Sequence, residues 1–135
     1  MRINYDANPG RKVHLAAGIT SLGRVVVGAA TFVRPETLPR VLGGDRGTAR
    51  RATTLTRSFS AREAALGLGA LHALRTGADV RPWLLAQALG DAGDAVALVA
   101  ATRARHLPAV RGAALAVVAL TGAISVTLAA RALRR

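Results

Sequence analysis

The apolar positions of the chain fall into four blocks, separated by breaks rich in Pro, Gly and charge. Residues 13–33 form the first block, with Arg24 as the one charge near its middle. Residues 34–52 are the longest break and hold Pro35, Pro39, Gly43, Gly44, Gly47 and five arginines. Within it, "PETLPRVLGG" fits a short amphipathic turn lying at lipid headgroups. The second block is less clean, because only residues 64–74 are free of charge. Such a piece is about 16 Å long at the helical rise and cannot cross a hydrocarbon core of about 30 Å. A crossing helix here must run over about 53–75 and take in Arg57, Arg62 and Glu63. "TGADVRP" reads as a tight turn, and Pro82 suits the first turn of a third helix over 82–102. Trp83 then falls where an amphipathic ring is favoured, at the boundary of water and lipid. After "RARHLP" the fourth block, 109–130, contains 19 consecutive residues (112–130) without a charge. The pattern predicts an all-α fold, a single integral membrane four-helix bundle over 13–130 with short loops. Residues 1–12 read as a polar tail and 131–135 as a basic one, both on the same side.

Composition sharpens this picture. Half of the chain is apolar (51%) but only 3% is aromatic, while Ala and Gly abound. A soluble Ala-rich bundle is the competing reading, yet a water-soluble core relies on large side chains for its buried area. Small residues suit helices that associate in lipid, where close approach matters more than apolar area. The net charge is +12. All but one of the 19 basic residues are Arg, and most lie at the ends of apolar blocks, where they can snorkel to anionic headgroups. A nucleic-acid binder would instead gather charge on one face beside stacking aromatics, so no nucleic-acid partner is expected. The partners expected are the bilayer, anionic headgroups contacted through Arg, and a second copy or another membrane subunit. Basic residues divide equally between the two sets of loops, so they do not orient the chain. Arg24 interrupts what would otherwise be a signal-peptide core. The lack of Cys removes disulfides and thiolate chemistry.

The charges inside the blocks share a depth. Arg24 lies 11 residues into the first block, and Asp91 and Asp94 lie 9 and 12 into the third. Arg62 and Glu63 lie 13 and 12 residues from the end of the second, which runs the opposite way. At ~1.5 Å per residue all five fall within about one helical turn of one level. Charges at the centre of a bilayer cost about 2.5–3.5 kcal/mol each on insertion scales, so they turn inward and pair. Asp91 and Asp94 share a face with Gln87, and Arg24 is their natural partner through a forked guanidinium. The two arginines against three carboxylates leave one negative charge, to be balanced by a proton, a bound cation or Arg57 leaning in. Two uses of such a cluster stand open: ion pairs that fix helix register, or a proton- or cation-linked site at Asp91 or Asp94. An enzyme or a bound lipid or quinone headgroup are further readings. Gly90 and Gly93, beside the acids, and Gly67 and Gly69 are expected to admit close helix packing. His14 and His72 fall near one membrane face and could ligate a haem, though histidines so placed are more often interfacial residues. No catalytic constellation, metal site or cofactor fingerprint is present, and none is expected.

The segments "LGRVVVGAATFVRPETLPRVLG", "RSFSAREAALGLGAL" and "LGDAGDAVALV" resemble small four-span bacterial membrane proteins catalogued as a domain of unknown function, the family numbered 4267. Gly23–Arg24, Arg57 with Arg62, and the Asp91–Asp94 pair stand at the matching places, and Ser60 replaces an expected Gly. The resemblance covers about residues 22–99 and implies a bundle in the bacterial cytoplasmic membrane without assigning an activity. The expectation is a non-enzymatic structural or accessory subunit, with a small proton- or cation-coupled homodimeric transporter as the alternative.

Overall fold

The computed structural model describes residues 9–133, and these fold as six α-helices. Four are long: α1 (Pro9–Val33), α4 (Thr53–Thr76), α5 (Arg81–Arg103) and α6 (Ala109–Ala132). Two short ones, α2 (Thr37–Val41) and α3 (Arg46–Arg51), occupy the long break. Residues 9–12, expected in a polar tail, belong to α1 instead. Proline is well placed in a first helical turn, where its missing N–H is no loss and its φ is already helical. The remainder of that tail, 1–8, lies outside the described residues, as do 134–135 of the basic tail, whose Arg131 and Ala132 end α6.

The long helices pack as two antiparallel pairs, α1 with α4 and α5 with α6, and the pairs meet through thinner α4–α5 and α1–α6 seams. Small residues set the closeness of each pair. A Cβ built on Gly67 would lie 2.5 Å from the Ser21 carbonyl oxygen, and one on Gly28 2.6 Å from that of Ser60. Gly112 likewise meets the Thr102 side chain across the α5–α6 pair. Between the pairs, Ala17, Ala70, Ala73, Leu84 and Val126 form a compact apolar core at one end.

The molecule carries its bulk outside. Buried apolar positions are mostly Ala, whereas Leu15, Ile19 and Val26 of α1, Leu89 and Val96 of α5, and Val117 and Leu128 of α6 are exposed. In water this distribution would leave a large apolar surface uncovered. In lipid it is the favourable one, since acyl chains solvate the large side chains and small ones let backbones touch. Among the described residues three helices are long and apolar enough to cross a membrane, with mean hydropathy 1.5, 1.4 and 2.1 for α1, α5 and α6. The 24-residue α4 holds Arg57, Arg62, Glu63 and Arg75 and is not apolar enough.

Two turns are fixed by acidic side chains. Asp45 accepts a hydrogen bond from the Thr48 backbone N–H (2.7 Å), capping α3 and holding its own carboxyl below the usual carboxylate range. At the α4–α5 turn Gly77 takes the left-handed conformation (φ 71°) that ends a helix, and Asp79 accepts from the Arg81 guanidinium and backbone N–H. Those bonds lower the Asp79 carboxyl to about 2.

Two measurements check this packing. Gly67→Ala should destabilise the α1–α4 pair by about 1–3 kcal/mol in reversible detergent unfolding. Gly93→Ala, where a Cβ meets nothing within 4 Å, should be neutral or slightly stabilising through helix propensity. For the turn, a carboxyl lowered by its partner contributes above the ordinary carboxylate range and is lost as pH falls through its folded value. Asp79 should therefore stay ionised at pH 3 by NMR titration, and Arg81→Gln should return it toward the ordinary range.

Candidate functional site

The five charges counted to one depth do meet, and they meet in an order. Arg24 of α1 donates through Nη1 to Glu63 Oε2 of α4 and through Nη2 to Asp91 Oδ2 of α5. Arg62 donates through Nη2 to Asp94 Oδ2 at 2.7 Å and to Glu63 Oε1 at 3.3 Å. The result is one chain, Asp91–Arg24–Glu63–Arg62–Asp94, in which acid and base alternate. The i,i+3 spacing places both aspartates toward the bundle but at different angles. Asp91 turns to the central Arg24 and Asp94 to Arg62 on the α4–α5 seam.

Burial divides this chain into a buried part and an open one. The side chains of Glu63, Arg24 and Asp91 are 7%, 10% and 13% exposed, whereas those of Asp94 and Arg62 are 32% and 41% exposed. The Arg62 guanidinium also lies over the Phe59 ring, 5.1 Å from its centroid, an arrangement that favours a cation at a partly desolvated site. A helix turn away from the ions, Gln87 is fully buried and donates to the Leu66 carbonyl at 3.1 Å and to Ser21 Oγ at 3.3 Å. Gln87 thus stitches α5 to α1 and α4 beside the cluster rather than joining it. Among the described residues Arg24 Nε and Gln87 Oε1 are buried without a hydrogen-bond partner.

Three expectations need correction. Arg57 does not lean into the cluster; it lines a groove with Arg34 and Arg40 beyond the end of α1. Gly93 faces open space, and a Cβ on Gly90 would meet only the Arg62 guanidinium, at 3.8 Å, so neither admits a neighbouring backbone. Adjacency to Asp91 and Asp94 in sequence puts these glycines at other angles around the helix. Of the α4 glycines, Gly67 is the close contact with α1, and Gly69 is the seat of the Trp83 ring. The glycine that makes room for the acids is Gly122 of α6, where a Cβ would come within 2.8 Å of Asp91 Oδ2. Its signal in the sequence was only a glycine at mid-block. Ser60 is buried, bonded to the Thr56 carbonyl and to Thr31 Oγ, both at 2.7 Å. His14 and His72 are exposed, and the His14 ring is hydrogen-bonded to the Gly10 carbonyl. Among the described residues no group of His, Asp and Glu is placed to hold a metal ion.

No family model matches the chain, and neither a curated protein nor a solved structure does.

The alternating order has an energetic signature. Removing one partner of a buried pair strands its neighbours, so Arg24→Gln should cost about 3–5 kcal/mol in detergent unfolding. Adding Glu63→Gln and Asp91→Asn to that variant should recover most of the loss, because neutral amides can bond one another without an excess charge. Equal loss in the single and triple variants would contradict the ionic origin of the effect.

Proposed function

We propose that the chain is an integral membrane protein of four spans, a bundle in the bacterial cytoplasmic membrane. Its ionic chain fastens two helical hairpins, and its role is that of a non-enzymatic structural or accessory subunit. One observation carries this reading: charges and small residues lie inside while large apolar side chains lie outside. The packing of α4 antiparallel along α1 supports a fourth span. If α1 crosses the bilayer, α4 crosses with it, and two of its charges, Arg62 and Glu63, are already paired within the bundle. The resemblance to four-span proteins of unassigned activity points the same way. The pairing of every cluster charge supports a fastening role more than a moving one.

A second reading, a small proton- or cation-coupled transporter acting as a homodimer, is favoured by one specific feature. Three carboxylates face two guanidinium groups, and of the two acids with a single arginine partner, Asp91 and Asp94, Asp94 is the more exposed.

Carbonate washing should leave the protein in the membrane fraction, and reporters fused to the two termini should lie on the same side; release by carbonate would end the membrane reading. Asp94→Asn in reconstituted vesicles separates the two roles. Under the structural reading wild-type and variant vesicles show no pH-driven flux. A wild-type flux that the folded variant abolishes would establish the transporter instead.

A further inference from the structure

Five of the arginines that stay out of the ionic chain, Arg34, Arg40, Arg46, Arg50 and Arg57, converge elsewhere. At the end of α1 the chain passes through α2 and α3 before entering α4, and two adjoining grooves open there. The larger, about 760 Å³, is lined by Val33, Arg34, Arg40, Val41, Thr53 and Arg57. The smaller, about 400 Å³, is lined by Arg46, Gly47 and Arg50. Glu36 and Arg40 border both, and their ion pair forms the ridge between them. Among the described residues Arg34, Arg46, Arg50 and Arg57 have no acidic side chain paired with them, although each is exposed.

Resting on the four-span reading, we propose that this double groove binds an anionic lipid with two phosphate groups, of the diphosphatidylglycerol type. One phosphate sits between Arg34 and Arg57, and the other between Arg46 and Arg50. The chemistry fits in three respects. A guanidinium forks onto a phosphate as it does onto a carboxylate, and here two unpaired ones stand on each side of the ridge. The larger groove is also apolar on one flank: Val33 and Val41 are 76% and 53% exposed and offer a wall to the glycerol and upper acyl carbons. Its level is that of headgroups, since Arg34 directly follows the last residue of a membrane-length helix and Arg57 lies one turn inside α4, from which it snorkels outward. A nucleic acid would need aromatic platforms, and neither groove contains one.

The test uses the full-length protein in detergent, with lipid retention read by native mass spectrometry. Phosphatidylcholine, phosphatidylglycerol, diphosphatidylglycerol and inorganic phosphate are the probes. Diphosphatidylglycerol should be retained at one per chain and about tenfold more tightly than phosphatidylglycerol. Arg34→Gln with Arg57→Gln, and separately Arg46→Gln with Arg50→Gln, should each weaken it by about tenfold, the loss of charge-assisted contacts on one side of the ridge. Arg103→Gln with Arg105→Gln, at the same end but outside both grooves, should change it less than twofold. All substituted side chains are exposed and unpaired, and circular dichroism verifies that helix content is kept. Phosphatidylglycerol binding as tightly would overturn the two-phosphate assignment, and so would inorganic phosphate displacing the lipid at comparable concentration. Equal weakening by the Arg103/Arg105 control would reduce the site to diffuse attraction and overturn it as well. Failure to retain lipid in a protein that still resists carbonate overturns this inference and leaves the four-span reading intact.

Discussion

The bundle depends on one guanidinium. Arg24 reaches from α1 to Glu63 on α4 and to Asp91 on α5, so it is the most buried of the ionic ties between the α1–α4 pair and the α5–α6 pair. Beyond Arg24, the Arg62–Asp94 pair and the Gln87 hydrogen bonds, the pairs meet through a core built mostly of alanine, which supplies little dispersion contact per residue. In lipid, apolar area between helices gives no net drive either, because acyl chains are as apolar as the residues they displace. Directional polar contacts must then decide which faces meet. A buried charge is tolerated where it has an opposite charge beside it, and the alternating order supplies one to every member. Each internal member of the chain, Arg24, Glu63 and Arg62, has an opposite charge on both flanks.

The packing of small residues follows from that tie. For Arg24 to reach two other helices, the helices must approach more closely than large side chains allow. Ser21, Gly28 and Gly67 bring α1 and α4 together on either side of the arginine, and Gly122 lets α6 close over Asp91. The same need explains why bulk is displaced outward, to Leu15, Ile19 and Val26 on α1 and Leu89 and Val96 on α5. What looks like an inverted core is the consequence of bringing five charges to the middle of the bundle.

Much of this was legible in the residues because depth along a helix is a simple count. Arg24, Arg62, Glu63, Asp91 and Asp94 could be brought to one level from the rise per residue alone, and they do meet. Angle around the helix was less legible. Gly90 and Gly93 lie beside the acids in sequence yet face the Arg62 head and open space, whereas Gly122, distant in sequence, is the one against Asp91. Arg57 was misjudged for a related reason. Five residues before Arg62 it lies more than a turn away, and it follows the end of the helix outward. The helix α3 was missed although its signal, Asp45 three residues before the N–H of Thr48, was present. The density of Gly and Arg in that break concealed it.

Exposure separates the two terminal acids of the ionic chain. Glu63 is satisfied from two sides, one oxygen to Arg24 and the other to Arg62. Asp91 takes the remaining arm of Arg24 in the bundle centre, where Gly122 closes over it. Asp94 has Arg62 alone, and that arginine is divided between two acids and is itself 41% exposed. With Arg57 outside, no third guanidinium shares the load. Of the two terminal acids, each with one shared arginine, Asp94 is thus the more open. A chain buried at its Arg24, Glu63 and Asp91 end and exposed at the other keeps its register through those three, so a change of charge at Asp94 would leave that tie between the hairpins in place.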